Sequence, residues 1–218
     1  MPEHTNAPDQ FTSQRDQLRS EVNRKTEAVL APEKPPTYSI EDVESAFGFK
    51  YTPEQKASLA TIPFSKETLK ACAGTHLLFP GAPLSLIDIR EKNSENFNED
   101  QEGEELEEFA RATVPVRWHL LRMEQVPDSL KKTWDEQKQL LLSDEEVPSA
   151  AMVAFATMLH FTMTGQRLLQ ESCVRTSDVV AGGRRIYVSG FDAGRVGVYR
   201  DWDDRRYEDL GIASSRKF

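Results

Sequence analysis

The chain has 218 residues, 38% of them hydrophobic, and a formal net charge of −9; that hydrophobic share lies below the roughly 45–50% usual on a count that includes glycine, so part of the length is expected to stand outside the core. The acidity argues against a nucleic-acid footprint, which needs clustered Lys and Arg, and the longest mostly apolar run, residues 150–161, is too short to span a bilayer and reads as a buried helix. The opening MPEHTNAPDQ lacks the basic and apolar regions of a secretory leader, and Cys72 and Cys173 form no metal or redox spacing, so a cytoplasmic protein with buried free thiols is expected.

Residues 1–36 read as an appendage. After a polar tail, residues 10–30 have a helical composition with Phe11, Leu18, Val22 and Val29 on an approximate heptad seam, interrupted by Arg15 and Lys25. That pattern fits either a solvated helix or one that docks on a partner protein or a second copy of the chain. Three prolines within residues 31–36 then block helix and sheet and mark a linker.

Residues 37–218 are expected to form a single α+β domain. Ser39 with Asp42, Thr52 with Gln55 behind Pro53, and Ser65 each announce the start of a short helix, and Gly48 and Gly74 supply stops. Residues 76–79 and 84–89 are apolar runs on either side of Pro80-Gly-Ala-Pro83 and are predicted to be strands joined by a turn. Residues 91–108 hold nine acids against Lys92 and so carry −8 of the net charge; with Phe97 the one apolar residue between Lys92 and Gly103, this acidic insert is predicted to be a mobile loop. A strand is expected within residues 114–126. A helix from Asp128 or Ser129 to about Leu142 should follow, then a capping box at Ser143–Glu146 and a central apolar helix over about 148–171. Residues 174–178 read as a short strand or a bend, and 184–191 with 196–202 as a β-hairpin around Asp192-Ala-Gly194. The expected architecture is short N-terminal helices, one central apolar helix, and an antiparallel or mixed sheet of about five strands.

No phosphate-binding glycine loop, nucleophile elbow, zinc-protease helix motif or zinc-spaced cysteine pair is present, so no cofactor and no metal is implied. His160, on the apolar helix, reads as a hydrogen-bonded core residue. His76 and His119 fall on predicted strands; if those strands pair, the two imidazoles and Asp88 converge into a group fit for general base chemistry or for a metal site. The run Asp201-Trp-Asp-Asp-Arg-Arg206, with Asp203, Asp204 and Arg205, has the composition to hold a cation or a phosphorylated ligand, or else forms surface ion pairs at a turn, with Trp202 packing on the core. Arg184 and Arg200 sit near the hairpin ends where they can share a face, and from Arg175 onward there are eight arginines and one lysine, a bias that suits bidentate recognition of carboxylate or phosphate.

The pieces SLIDIR (85–90), WHLLR (118–122), VRTSD (174–178), GFD (190–192), WDD (202–204) and GIASSRK (211–217) resemble an uncharacterised family of bacterial hypothetical proteins over about residues 51–218. The resemblance carries no assigned activity and hence no mechanism. The reading that follows is a non-enzymatic binding or accessory protein of an intracellular bacterial system. The alternative is a small hydrolase or ligand-processing enzyme using Asp88, His119 and Asp203, with His76, Arg184, Arg200, Asp201, Asp204 and Arg205 as binding candidates.

Overall fold

The computed structural model describes residues 32–98, 109–169, 172–192 and 194–218. The predicted helix 10–30 and most of the acidic segment lie outside them. Among the described residues there are six α-helices and two four-stranded sheets, so the α+β class holds, with the strands divided between two sheets rather than gathered in one of about five.

The N-terminal helices begin where their capping residues stand. Helix α1 (Ile40–Phe47) and helix α2 (Pro53–Ser58) have complete capping boxes at Ser39/Asp42 and Thr52/Gln55, and helix α3 (Lys66–Ala71) is capped by Ser65. Each box satisfies amide donors that a first turn otherwise leaves without partners. Gly48, at φ 62°, ends α1 in the left-handed conformation glycine tolerates. Glu44 joins α1 to α2 although it is 6% exposed: Lys56 and Lys50 lie 2.8 and 3.0 Å from its carboxylate and the Tyr51 amide donates to it. The two lysine hydrogen bonds, ahead of any other cause, hold its pKa down at about 2.

The first sheet pairs strand β1 (His76–Pro80) antiparallel with strand β2 (Trp118–Arg122), His76 opposite Arg122 and Phe79 opposite His119. Residues 84–89 differ from expectation. Ser85 and Asp88 form a fourth capping box and start helix α4 (Leu86–Lys92), which buries Leu86 and Ile89. The alternation Leu84, Leu86, Asp88 mimics a strand, but the 86/89 spacing and the cap satisfy a helix. Beyond α4, a 3-10 turn (Ser94–Asn96) delivers Phe97 to the core at 3% exposure, and Asn98 donates to the Val196 carbonyl and the Tyr199 hydroxyl. The start of the acidic segment is therefore packed, correcting the expectation of a loop throughout 91–108.

Two further starts are displaced. Asp128 and Lys131 have φ of 60° and 58° and form turns, so the helix expected from 128 or 129 begins only at Thr133, as helix α5 (Trp134–Lys138). Glu145 and Glu146, expected within a capping box, form strand β3 instead (Glu145–Glu146), and Ser149 caps the central helix α6 (Ala150–Thr164). All residues of α6 from Ala150 to His160 are buried. It has no polar side there because it is wrapped on all flanks: Phe155 stacks on Phe47 of α1 at 4.5 Å and meets Phe79 of β1 at 5.7 Å, and α6 also touches α4 and the second sheet.

The second sheet holds strands β4 (Cys173–Val179), β5 (Arg185–Asp192), β6 (Arg195–Asp201) and β7 (Leu210–Ile212) in the order β6-β5-β4-β7. The expected hairpin is β5–β6, with Asp192 opposite Arg195 and Gly194 at φ 91° in the turn. Strand β7 runs parallel to β4, and three residues after it strand β8 (Ser215–Arg216) enters the first sheet between β2 and β3. Residues 210–216 thus complete both sheets.

Candidate functional site

The register of β1 and β2 separates the two histidines that sequence brings together. His119 lies opposite Phe79, three residues from His76, and an odd offset along a strand puts side chains on opposite faces. His119 faces α6 beside the Phe79 ring; its Nε2 donates to the Pro115 carbonyl at 2.9 Å, and burial pushes its pKa down to about 4. His76 is on the other face, its Nδ1 2.8 Å from the Thr75 hydroxyl and its pKa near 4 through burial and the charges of Arg122 and Arg216. Asp88 is occupied at the start of α4, accepting from the Ser85 amide and hydroxyl at 2.8 and 2.6 Å. The Ser85 hydroxyl bond, first among the causes, lowers its pKa. The trio does not converge, because the run carrying Asp88 is a helix. His160 has the expected core role, with Nδ1 2.8 Å from the Tyr38 hydroxyl.

The C-terminal cluster is built differently. Arg185, 8% exposed, donates to both carboxylate oxygens of Asp203 at 2.8 and 2.9 Å and to the carbonyls of Thr176 and Ser177. Its guanidinium lies 3.5 Å from the centre of the Trp134 ring, a geometry that planar, weakly hydrated arginine suits and lysine does not. Arg175 is 1% exposed and donates to the carbonyls of Lys132 and Arg205 and to Gln137 Oε1 at 3.1, 2.7 and 2.8 Å. Gln137 in turn donates to the carbonyls of Ser129 and Leu210. Two buried guanidinium groups therefore fasten α5 and residues 201–210 to the second sheet.

On this fastened segment Asp201 accepts from the Tyr207 hydroxyl at 2.7 Å and Arg206 pairs with Glu136 at 2.7 Å, while Asp204 and Arg205 have exposed side chains. Arg200 stands opposite Ile186, so Arg184 and Arg200 occupy diagonal positions on one side of the hairpin, both half-buried. Trp202 is 48% exposed and does not pack on the core as its size suggests; Tyr207 is 43% exposed. With Gly183, Asp203, Asp204 and Arg205, Trp202 lines an open concavity of about 490 Å³. Sequence missed Trp134 and Gln137 as the partners of the two arginines; Thr133-x-x-Glu136 was the available signal for Trp134, being a capping box that places it on the first helical turn.

Among the described residues no three His, Cys, Asp or Glu side chains gather as a metal-binding group, and no helix is long and apolar enough to cross a membrane. Comparison of the chain with protein-family models, curated proteins and solved structures yields no match.

Proposed function

We propose that this chain is a non-enzymatic binding or accessory protein of an intracellular bacterial system, and that residues 201–209 are its contact surface for a protein partner. One observation carries the reading: Trp202 and Tyr207 stand exposed on a stretch that is nearly devoid of regular structure yet tied down by Arg185 to Asp203 and by Arg175 to the Arg205 carbonyl. Aromatic residues held rigidly at the surface supply contact area at low entropic cost and dominate many interfaces. Five acids and two arginines surround them in residues 201–209, so the partner is expected to present a largely basic rim around an apolar recess. The cytoplasmic setting belongs to the same proposal.

A small hydrolase built on Asp88, His119 and Asp203 requires those groups to line one pocket. They are instead engaged by Ser85, Pro115 and Arg185 in three different parts of the fold, which favours binding over catalysis. Quantitative cross-linking in a bacterial lysate, comparing the native chain with Trp202→Ala and Tyr207→Ala, tests the proposal. Loss of a specific cross-linked protein from both variants is expected. An identical set of cross-links in all three would overturn the assignment of this surface.

A further inference from the structure

A second surface lies apart from the aromatic one and involves none of its residues. Where α6 ends, the chain turns at Gly165 and lays Leu168 and Leu169 back over the protein, opening a cleft of about 550 Å³ against the segment that follows β2. Its wall is preformed. Leu169 has φ of 55°, a left-handed conformation that a leucine adopts only when its surroundings impose it. Gly190 of β5 makes room for it: the Gly190 amide donates to the Ser172 carbonyl, and a Cβ at Gly190 would sit 1.5 Å from the Leu169 carbonyl oxygen. Met123 and Leu130, both half-buried, add further apolar surface from the segment after β2.

The N-terminal segment enters the fold beside this cleft. Residues 36–38 lie along β1 at the edge of the first sheet: the Leu78 amide donates to the Pro36 carbonyl, the Tyr38 amide donates to the Leu78 carbonyl, and Thr37 pairs parallel with Leu78. Followed backward, the chain therefore runs toward the His76 end of β1. There Pro32 meets Gly74, where a Cβ would stand 3.4 Å from the proline Cγ. Next to Gly74, the Thr75 carbonyl accepts from the amide of Met123 at 3.0 Å, and Met123 lines the cleft. Tyr38 supplies a second tie, its hydroxyl standing 2.8 Å from Nδ1 of His160, another lining residue. Residues 1–31 lie outside the described residues, and their longest apolar run is Ala28-Val-Leu-Ala31, directly before Pro32. Three residues of extended chain span about 10 Å, which brings Val29 and Leu30 within reach of the Met123 rim.

We infer that the cleft is the docking site of the chain's own residues 28–31, with Val29 and Leu30 set against Met123, Leu168 and Leu169. The contact is intramolecular. A short tether holds its end at an effective concentration in roughly the millimolar range, so an apolar patch too small to retain a separate peptide suffices. Val29 also belongs to the heptad seam of residues 10–30, so docking sets the point from which that seam departs.

Nuclear magnetic resonance of the methyl-labelled full chain tests this. Overhauser contacts are expected from the methyl groups of Val29 and Leu30 to those of Met123, Leu168 and Leu169. Random-coil shifts for Val29 and Leu30 without such contacts would overturn the inference and leave the cleft to a separate ligand. A mixture of labelled and unlabelled chains distinguishes contacts within one molecule from contacts between two. Contacts found only between molecules would also overturn it, assigning the cleft to a second copy. In the full chain carrying Val29→Asp and Leu30→Asp, amide exchange at residues 123–125 and 166–169 should quicken about tenfold, with residues 150–158 of α6 as the unaffected reference. Exchange at the cleft that the double variant leaves unchanged would overturn the docking.

Discussion

Arg185 grips Asp203 with two hydrogen bonds while its guanidinium rests 3.5 Å from the centre of the Trp134 ring. One side chain thereby joins β5, α5 and the segment after β6. Together with Arg175, it replaces by polar contacts what regular structure does elsewhere in the molecule. A buried arginine is stabilising only while its acceptors are in place, and removing it leaves them stranded.

Arg175→Met therefore strips donors from the Lys132 and Arg205 carbonyls and from Gln137 Oε1. The expected loss is about 2–4 kcal/mol, read from urea unfolding. Arg185→Lys keeps a charge but loses the fork and the ring contact, and should cost roughly 1–2 kcal/mol. A change within experimental error for Arg175→Met would mean that this network contributes nothing to holding residues 201–210.

Phe97 gives a second test. It is 3% exposed, and the neighbouring Asn98 bonds to β6. Phe97→Ala should cost about 3 kcal/mol or more if the site cannot collapse, and deletion of residues 94–103 should lower the melting temperature markedly. A deletion variant as stable as the native chain would return the whole of 91–108 to the status of a dispensable insert.

Stability should also depend on pH through His76 and His119. Both have folded pKa values near 4 against about 6.5 unfolded, so below pH 6.5 the unfolded chain takes up protons that the folded chain refuses. Their contribution is full above about pH 6.5, falls as the pH drops, and flattens below about pH 4, with a ceiling on the order of 3 kcal/mol for each. Asp178, raised by burial, works in the opposite sense, so the comparison with a non-titrating variant isolates the effect. His119→Gln retains a donor for the Pro115 carbonyl and should flatten the curve between pH 6.5 and 4.5. Equal slopes in variant and native chain would show that His119 does not titrate as a buried group.

Truncation after Asp209 removes β7 from the edge of the second sheet and β8 from the middle of the first. The shortened chain should lose its cooperative unfolding transition, as followed by near-ultraviolet circular dichroism. Retention of a sharp transition would show that each sheet closes without these strands.

Local signals were read correctly where they act alone. Ser39, Thr52 and Ser65 start helices because a cap depends only on the next three residues, and the hairpin follows from two alternating runs about a glycine turn. Residues 84–89 misled because Leu84 and Leu86 alternate while Leu86 and Ile89 also fit a helix turn, and only the Ser85–Asp88 cap distinguishes the two. The parallel pairing of Cys173 with Leu210 leaves no local mark, since nothing near either residue encodes a partner 37 positions away. Arg175 was visible as part of an arginine-rich region, but charged residues are usually at the surface, and its burial depends on three acceptors contributed by two distant segments, 132–137 and 205. His76 and His119 part because the register of β1 and β2, a long-range property, sets them on opposite faces, whereas Asp88 is removed from both by the local cap that starts α4.

The position of β7 and β8 also governs how the protein can be made. Synthesis proceeds from residue 1 upward, so while residues 32–209 emerge, β4 lacks its parallel neighbour and β2 and β3 lack the strand between them. Unpaired strand edges are sites of non-native association. A ribosome-bound chain is consequently exposed to aggregation and to capture by chaperones until about residue 216 has left the exit tunnel, and its final structure forms after translation of that segment rather than piece by piece during it.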